Sequence, residues 1–475
     1  MSFDLPKGWT SQSIENAMEA IIDYRGKTPK KSDSGIPLIT AKIVKSGRLE
    51  TPTEFIPEED YDAWMVRGLP QAGDVVLTTE APLGEVAQLD DANVALAQRI
   101  VTLRGKPDLL VNDYLKYLLQ SHAVQQQLDA RGSGSTVKGI KQSELRKVVL
   151  SLPPIAQQRS IAGTLKSLDD KITLNTQTNQ TLEQMAQALF KSWFVDFDPV
   201  IDNALDSGFF EREFAGEGIP EPLAKRVAIR QALREAAGAD TDASAIGRLP
   251  PETRALFPDR FEKHPELGWI PKGWEVKPVS EALDINPKVK LSKGTTAKFA
   301  DMKAAPTSGY MIDGVIEKEF SGGSKFMADD VLLARITPCL ENGKTAIVDF
   351  LAQDEAGFGS TEFIVMRGKG AVSMPFVACL SRLPEFRAHC IQSMVGSSGR
   401  QRVQNACFDS FYLTFPPTAD VLEKFEQTCL PSFRQMTVAR LESEALANLR
   451  DTLLPKLLSG ELELANTEII VEAFA

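Results

Sequence analysis

Histidine is scarce in this chain: His122, His264 and His389 are the three present in 475 residues. Cysteine is scarce and lopsided. Cys339, Cys379, Cys390, Cys407 and Cys429 all lie in the second half, with no C-x-x-C pair among them. These shortages exclude a zinc framework, because no four-ligand spacing can be assembled from them. Unpaired cysteines at such spacings predict buried, reduced thiols. No apolar run approaches the length of a membrane span, and the opening MSFDLPKGW lacks a basic-then-apolar signal pattern. The expectation is a cytoplasmic chain without membrane association.

Catalytic motifs are missing as well. Methyltransferases of adenine or cytosine amines carry an Asn/Asp-Pro-Pro-aromatic motif. Leu152-Pro153-Pro154-Ile155 and Phe415-Pro416-Pro417-Thr418 share only its proline pair. Neither has the polar first residue that accepts hydrogen bonds from the target amine, and no F-x-G-x-G loop follows a strand. Gly343-Lys344-Thr345 and Gly26-Lys27-Thr28 end like phosphate-binding loops, but Pro338 and Ile21 stand where the first glycine is required. Asp169-Asp170-Lys171 falls on a helical stretch and reads as a solvated face, not a nuclease cluster. There is no G-x-S-x-G elbow. The chain reads as non-catalytic, with no metal and no cofactor of its own.

What the chain does have is duplication. LPKGW at 5–9 returns as IPKGW at 270–274, and SLPP at 151–154 returns as TFPP at 414–417. A period this long is a duplicated domain-plus-helix module, not a solenoid repeat. The net charge of −11 argues against a nucleic-acid binder until its distribution is considered. Residues 1–150 hold 18 basic and 20 acidic side chains, and 265–415 hold 17 of each. The acidic excess sits in 196–264 and 416–475. The two repeated heads are therefore near neutral, and a basic partner could supply phosphate contacts.

Local patterns fill in the modules. IPLIT (36–40), DVVLTT (74–79) and RIVTL (99–103) read as strands, and 114–128 reads as one helix by its apolar period. A small-residue loop, 131–139, closes the first head. The second head repeats the order with strands at 331–336 and 362–367, a helix region at 374–386 and a loop at 394–401. Each head is a mixed α/β domain.

A long helical stretch follows each head. In the first, Leu165, Leu168, Ile172, Asn175, Asn179, Leu182, Ala186, Leu189 and Trp193 alternate at spacings of three and four, a heptad seam. In the second, Met436, Ala439, Ser443, Leu446, Leu453 and Leu457 match it, with Pro455 expected to break or kink the helix near its end. Two matched seams predict an antiparallel intramolecular pair. Asn175 and Asn179 on the seam either fix its register or sit where it opens to water. The class is α+β: a first head at 1–150, a central helix at 151–198, an acidic connector at 199–264, a second head at 265–415, a C-terminal helix at 416–464 and a tail at 465–475.

The heads carry candidate DNA contacts at matching points. In the first these are Arg25, Lys27, Lys30, Lys31, Thr40, Lys42, Thr78, Thr79, Gln98 and Arg99, with Arg131, Lys138 and Lys141 in and after the closing loop. In the second they are Arg335, Asn342, Lys344, Ser360 and Thr361, with Arg400 and Arg402 in the closing loop. Cations beside glycine approach phosphates, and Arg or Lys reads guanine edges. Phe190, Trp193, Phe194 and Phe197 crowd four aromatics into eight residues, more than a two-helix rod can bury. They are expected to form an exposed partner-docking patch.

These landmarks resemble the specificity subunit of Type I restriction-modification complexes. The resemblance spans essentially the whole chain. It rests on PKGW (6–9 and 271–274), ALFKSWFVDFDPV (188–200), LFPDRFEKHPELGWIPKGWEV (256–276), GFGSTEFIVMRGK (357–369) and LLPKLLSGELEL (453–464). It implies two target-recognition domains, each reading half of a bipartite site in double-stranded DNA, with the paired helices as ruler. It also implies docking of two methylation subunits, which carry the methyl donor and modify adenine N6, and of restriction and translocation subunits. The alternative is a stand-alone or orphan double-headed DNA-binding protein.

Overall fold

The computed structural model describes residues 5–462, apart from 27, 46, 135–136, 217, 238–247 and 398. The chain divides into two compact units, one within 1–174 and 442–475 and the other within 175–441.

The first head is built on four antiparallel strands in the order Met18–Asp23, Ile100–Gly105, Val75–Thr79, Leu83–Gln88. A short ladder between Thr10–Ser13 and Val149–Leu152 brings its beginning and end together. The central strand is covered on both sides. Val75, Leu77, Val101 and Leu103 face a core shared with the helices, while Val76, Ile22 and Ile100 face a second core with Leu38, Ile39 and Leu96. A strand covered on both faces reads as a continuous apolar run and not an alternating one. The helix expected over 114–128 is two helices, Asn112–Gln120 and His122–Arg131. Ser121 adopts extended dihedrals between them, and its Oγ accepts from the Val124 amide as an N-cap.

The second head repeats the same strand order with Leu283–Ile285, Phe363–Gly368, Val331–Ala334 and Thr345–Ile347. Its closing ladder pairs Glu275–Pro278 with Tyr412–Phe415. A buried ion pair is duplicated too. Arg104 grips Asp74 through Nε and Nη2 at 2.8 and 2.7 Å, and Arg367 grips Asp330 at 2.6 and 2.8 Å. Each aspartate also accepts the amide three residues before it, from Gln71 and Met327 respectively.

The two long helices are Ile155–Phe194 and Asp420–Ser459, 40 residues each. Pro455 does not break the second, and neither does Pro431. Both prolines are exposed, so the carbonyls they leave without a donor face water, while buried Cys429, Phe433, Leu457 and Leu458 anchor the neighbouring turns. Within the second unit, Asn175 Nδ2 donates to the Ala439 carbonyl at 3.3 Å and Asn179 Nδ2 to Met436 at 3.2 Å. The descending partner numbers are those of an antiparallel pair. The seam is therefore closed at both asparagines, which favours register control over an opening to water.

Within the first unit, Leu168 and Ile172 pack on Leu446. Asp169 is not the solvated residue its sequence context suggests. It accepts from Tyr117 Oη at 2.8 Å, Arg450 Nη1 at 2.9 Å and Lys116 Nζ at 3.3 Å. Gly460 ends the second helix at φ +74°, and a Cβ there would lie 2.6 Å from Pro6 and 3.2 Å from Trp9 of the first PKGW landmark. Only glycine suits both the left-handed turn and that approach.

The acidic connector is ordered where it is described. Helices Asp198–Ser207 and Glu221–Ala237 lie side by side, with Arg226 on Asp198, Arg230 on Asp202 and Arg234 on Asp206. Its aspartates at spacing four serve its own arginines at spacing four. The connector's ADTDAS stretch (239–244), whose small and acidic composition predicts flexibility, lies outside the described residues. Among those residues, no helix is long and apolar enough to cross a membrane.

Candidate nucleic-acid interface

Five of the first head's candidates meet in one place. Lys31, Thr40, Lys42, Gln98 and Arg99 line a cleft of about 270 Å³ together with Glu54 and Ala81. The cleft forms because the segment 28–42, which contains the strand Ile36–Ile39, and the turn into Ile100–Gly105 lie against one small sheet. There Leu38 and Ile39 pair in parallel with Ala95 and Leu96. Glu54 sits between two ammonium groups, 2.7 Å from Lys31 and 3.4 Å from Lys42. The Lys31 hydrogen bond chiefly holds its carboxyl below the usual range. Arg99 Nε is 3.1 Å from Glu80 Oε1. Lys30 lines an adjoining cleft of about 430 Å³ with Thr28, Pro29 and Trp64.

Other candidates are placed elsewhere. Thr78 and Thr79 are 0% and 2% exposed, because their strand is sandwiched between two cores. The Thr78 hydroxyl accepts from the Glu85 amide at 2.9 Å. Neither threonine can reach a base edge, which corrects their assignment as readers. Arg25 folds onto Asp23 at 3.3 Å. Arg131 pairs with Glu144 at 3.4 Å, and Lys138 pairs with Asp129. Lys141 is exposed. Lys27 lies outside the described residues.

In the second head, Arg402 forks onto Glu362, with Nε at 2.9 Å and Nη2 at 2.6 Å. Ser360 Oγ accepts the Glu362 amide at 3.2 Å, so it shapes the turn that presents this carboxylate. Asn342, Thr361 and Arg400 are exposed. Arg335 is partly buried and donates to the Val403 carbonyl at 3.4 Å. Lys344 turns inward and donates to the carbonyls of Met302 at 2.8 Å and Lys303 at 3.3 Å. Its ammonium holds a loop, which corrects its assignment as a DNA contact.

Comparison with known proteins decides what these paired heads are. Residues 6–184 match the family model described as the Type I restriction modification DNA specificity domain. The specificity subunit of the type I restriction enzyme HindI from Haemophilus influenzae is 25% identical over 404 residues, covering 78% of this chain and 82% of that one. The MjaIX specificity subunit of Methanocaldococcus jannaschii is 24% identical over 474 residues, covering 96% and 94%. Its first head and the start of its central helix match that domain family, and the chain is similar to Type I specificity subunits along most of its length. Among solved structures, the S subunit of a Type I restriction-modification system from M. genitalium is 13% identical, with 96% of this chain and 98% of that one covered at a TM-score of 0.48.

The aromatic cluster overturns an expectation. Phe190, Trp193 and Phe194 are 0%, 1% and 2% exposed, and Phe197 is half-buried. The rings meet Phe376 of the second head, Phe425 of the C-terminal helix, Phe257 of the connector and Trp274 of the second PKGW landmark, at centroid distances of 5.0–5.8 Å. No exposed aromatic docking patch exists there. Two helices cannot bury four aromatics, but two helices with a head and a folded connector can.

The carboxylates Glu54, Glu80 and Glu362 carry no signal in the sequence. Each has other acids near it in the chain, such as Glu58 and Glu59 for Glu54 and Asp354 and Glu355 for Glu362, and nothing local distinguishes it. The Asp74–Arg104 and Asp330–Arg367 pairs had a signal, since all four recur at matched places in the two heads.

Proposed function

We propose that this specificity subunit reads a bipartite target in double-stranded DNA, one head per half-site. It docks two methylation subunits that modify adenine N6, and restriction and translocation subunits join that core. The observation that carries this reading is the exact repetition of the four-strand order in two heads whose exposed polar residues differ. The same scaffold with different surfaces suits two different half-sites. The methyl donor belongs to the partner, and the target adenine is flipped into the partner's pocket while this chain sets which adenine is presented. Near-neutral heads leave part of the phosphate contact to those partners.

Burial of the aromatic cluster removes the sequence argument that separated a subunit from a stand-alone double-headed DNA binder. Another observation replaces it. Leu174 and Val438, at matched positions of the repeated helices, are 55% and 64% exposed. Equivalent apolar side chains left in water on both helices suit two copies of one partner.

The test is a genome-wide adenine-methylation map with the chain co-expressed beside its neighbouring methylation subunit, and again without the chain. A bipartite motif that needs the chain is the expected result. A soluble complex with no motif, or no complex at all, would overturn the reading.

A further inference from the structure

Each head carries an arginine–glutamate pair at the same junction, with the polarity reversed. In the first head the Arg99 carbonyl accepts the Thr79 amide at 2.9 Å; in the second the Glu362 carbonyl accepts the Arg335 amide at 2.9 Å. That shared ladder step makes Arg99 and Glu362 counterparts. The closing loops add a second match. The Ile140 amide donates to the Thr79 carbonyl at 2.9 Å, and the Val403 amide to the Arg335 carbonyl at 2.8 Å. Gly139 then bridges Glu80, as Arg402 bridges Ile336. Three segments meet at this junction: a strand entry (99 or 362), the neighbouring strand's exit (80 or 336) and the closing loop (139 or 402).

The first head pairs strand entry with strand exit, Arg99 with Glu80. The second pairs strand entry with closing loop, Glu362 with Arg402. Side-chain exposures are 54% and 49% for Arg99 and Glu80, and 44% and 22% for Arg402 and Glu362. Exposed ion pairs add little to stability, so folding does not account for an arginine rebuilt here from a different segment in each head.

Resting on the reading above, we propose that this junction is the base-reading position of each head. Arg99 and Arg402, each steadied by its glutamate, read one guanine in each half-site through the major groove. The chemistry fits. Glu362 takes the Nε and Nη2 edge of Arg402, which leaves the Nη1 and Nη2 end as the two-donor face that matches guanine O6 and N7. Glu80 lies 3.1 Å from Nε of Arg99, on the side away from that same end. A guanidinium held flat before binding loses less freedom on contact. Around Arg99 the cleft holds Lys31 and Lys42, which share Glu54 and could exchange it for flanking phosphates, and Arg400 lies beside Arg402 in the chain.

The experiment uses the full chain with its methylation subunit and maps methylation for wild type, Arg99→Ala, Arg402→Ala, Glu362→Gln and the control Arg400→Ala. A wild-type bipartite motif tests the underlying reading by itself. Given that motif, Arg99→Ala should make one G·C position degenerate in one half-site only, and Arg402→Ala one G·C position in the other. Discrimination at each should fall roughly ten- to a hundred-fold. Glu362→Gln should weaken the same position as Arg402→Ala, and Arg400→Ala, a candidate phosphate contact, should lower methylation across all sites without changing the base preference at any position. Circular dichroism melting of each variant checks that these exposed changes leave the fold in place. Motifs unchanged by both arginine variants, or a wild-type half-site without any G·C pair, would overturn the proposal while leaving the two-headed reading intact.

Discussion

Asp74 is 1% exposed along its side chain, and Arg104 neutralises it with two hydrogen bonds. Removing the arginine strands a buried carboxylate, a change that typically costs about 3–5 kcal/mol. Arg104→Ala should therefore destabilise the first head by that order, and Arg367→Ala the second. Hydrogen exchange on the central strands should show each effect confined to its own unit. Glu54 makes the opposite case, since it neutralises two cations that phosphates could use. Glu54→Gln should raise affinity for random-sequence DNA and steepen its salt dependence, with base preference unchanged; a salt titration reads both. The list of cations was legible in the sequence. Which of them are held by a carboxylate was not, because Glu54, Glu80 and Glu362 lie 12 to 40 residues from the cations they pair with.

Helices and strands were legible to the extent that their signals are local. The 40-residue helices announce themselves by heptad spacing, and the central strands by β-branched runs. The failures also have local causes. Ser121 is a good cap inside an apolar period, and it splits one helix into two. The prolines of the second helix stand on its wet face, where a lost backbone bond is cheap. Asp169 joins an element to its surroundings and carries a pH prediction. Burial pushes its carboxyl up, but Lys116, Arg450 and Tyr117 together hold it below the ordinary range. A folded value below the unfolded one gives stability that is complete above the usual carboxylate range. That stability is lost as pH falls through the lowered value. Hydrogen exchange over 165–172 should loosen in acid for wild type, and Asp169→Asn should lack that component.

For the whole molecule, the central helix is covalently continuous from Ile155 to Phe194, and each helix pairs through a seam whose asparagines find backbone carbonyls. If this pair sets the gap between half-sites, inserting one four-residue turn near Thr176–Gln180, roughly 6 Å, should widen the gap by about one or two base pairs. Methylation mapping reads the gap directly, and an unchanged gap would remove the ruler role. The duplication that motivates this was plain in the PKGW and PP landmarks. The folded connector was not, because its Asp and Arg series look like surface charge until the two helices are set side by side.

The sequence by itself determined the duplication, most of the elements and the family resemblance, because periodicity and landmark strings are written along the chain in short windows. Only the tertiary structure decided which residues remain available. It put Phe190, Trp193 and Phe194 inside, walled Thr78 and Thr79 between two cores, turned Lys344 onto backbone carbonyls and gathered Lys31, Lys42, Gln98 and Arg99 at one cleft. The reason is physical: burial and ion pairing depend on what lies across space from a side chain, and that neighbour stands far away in the chain.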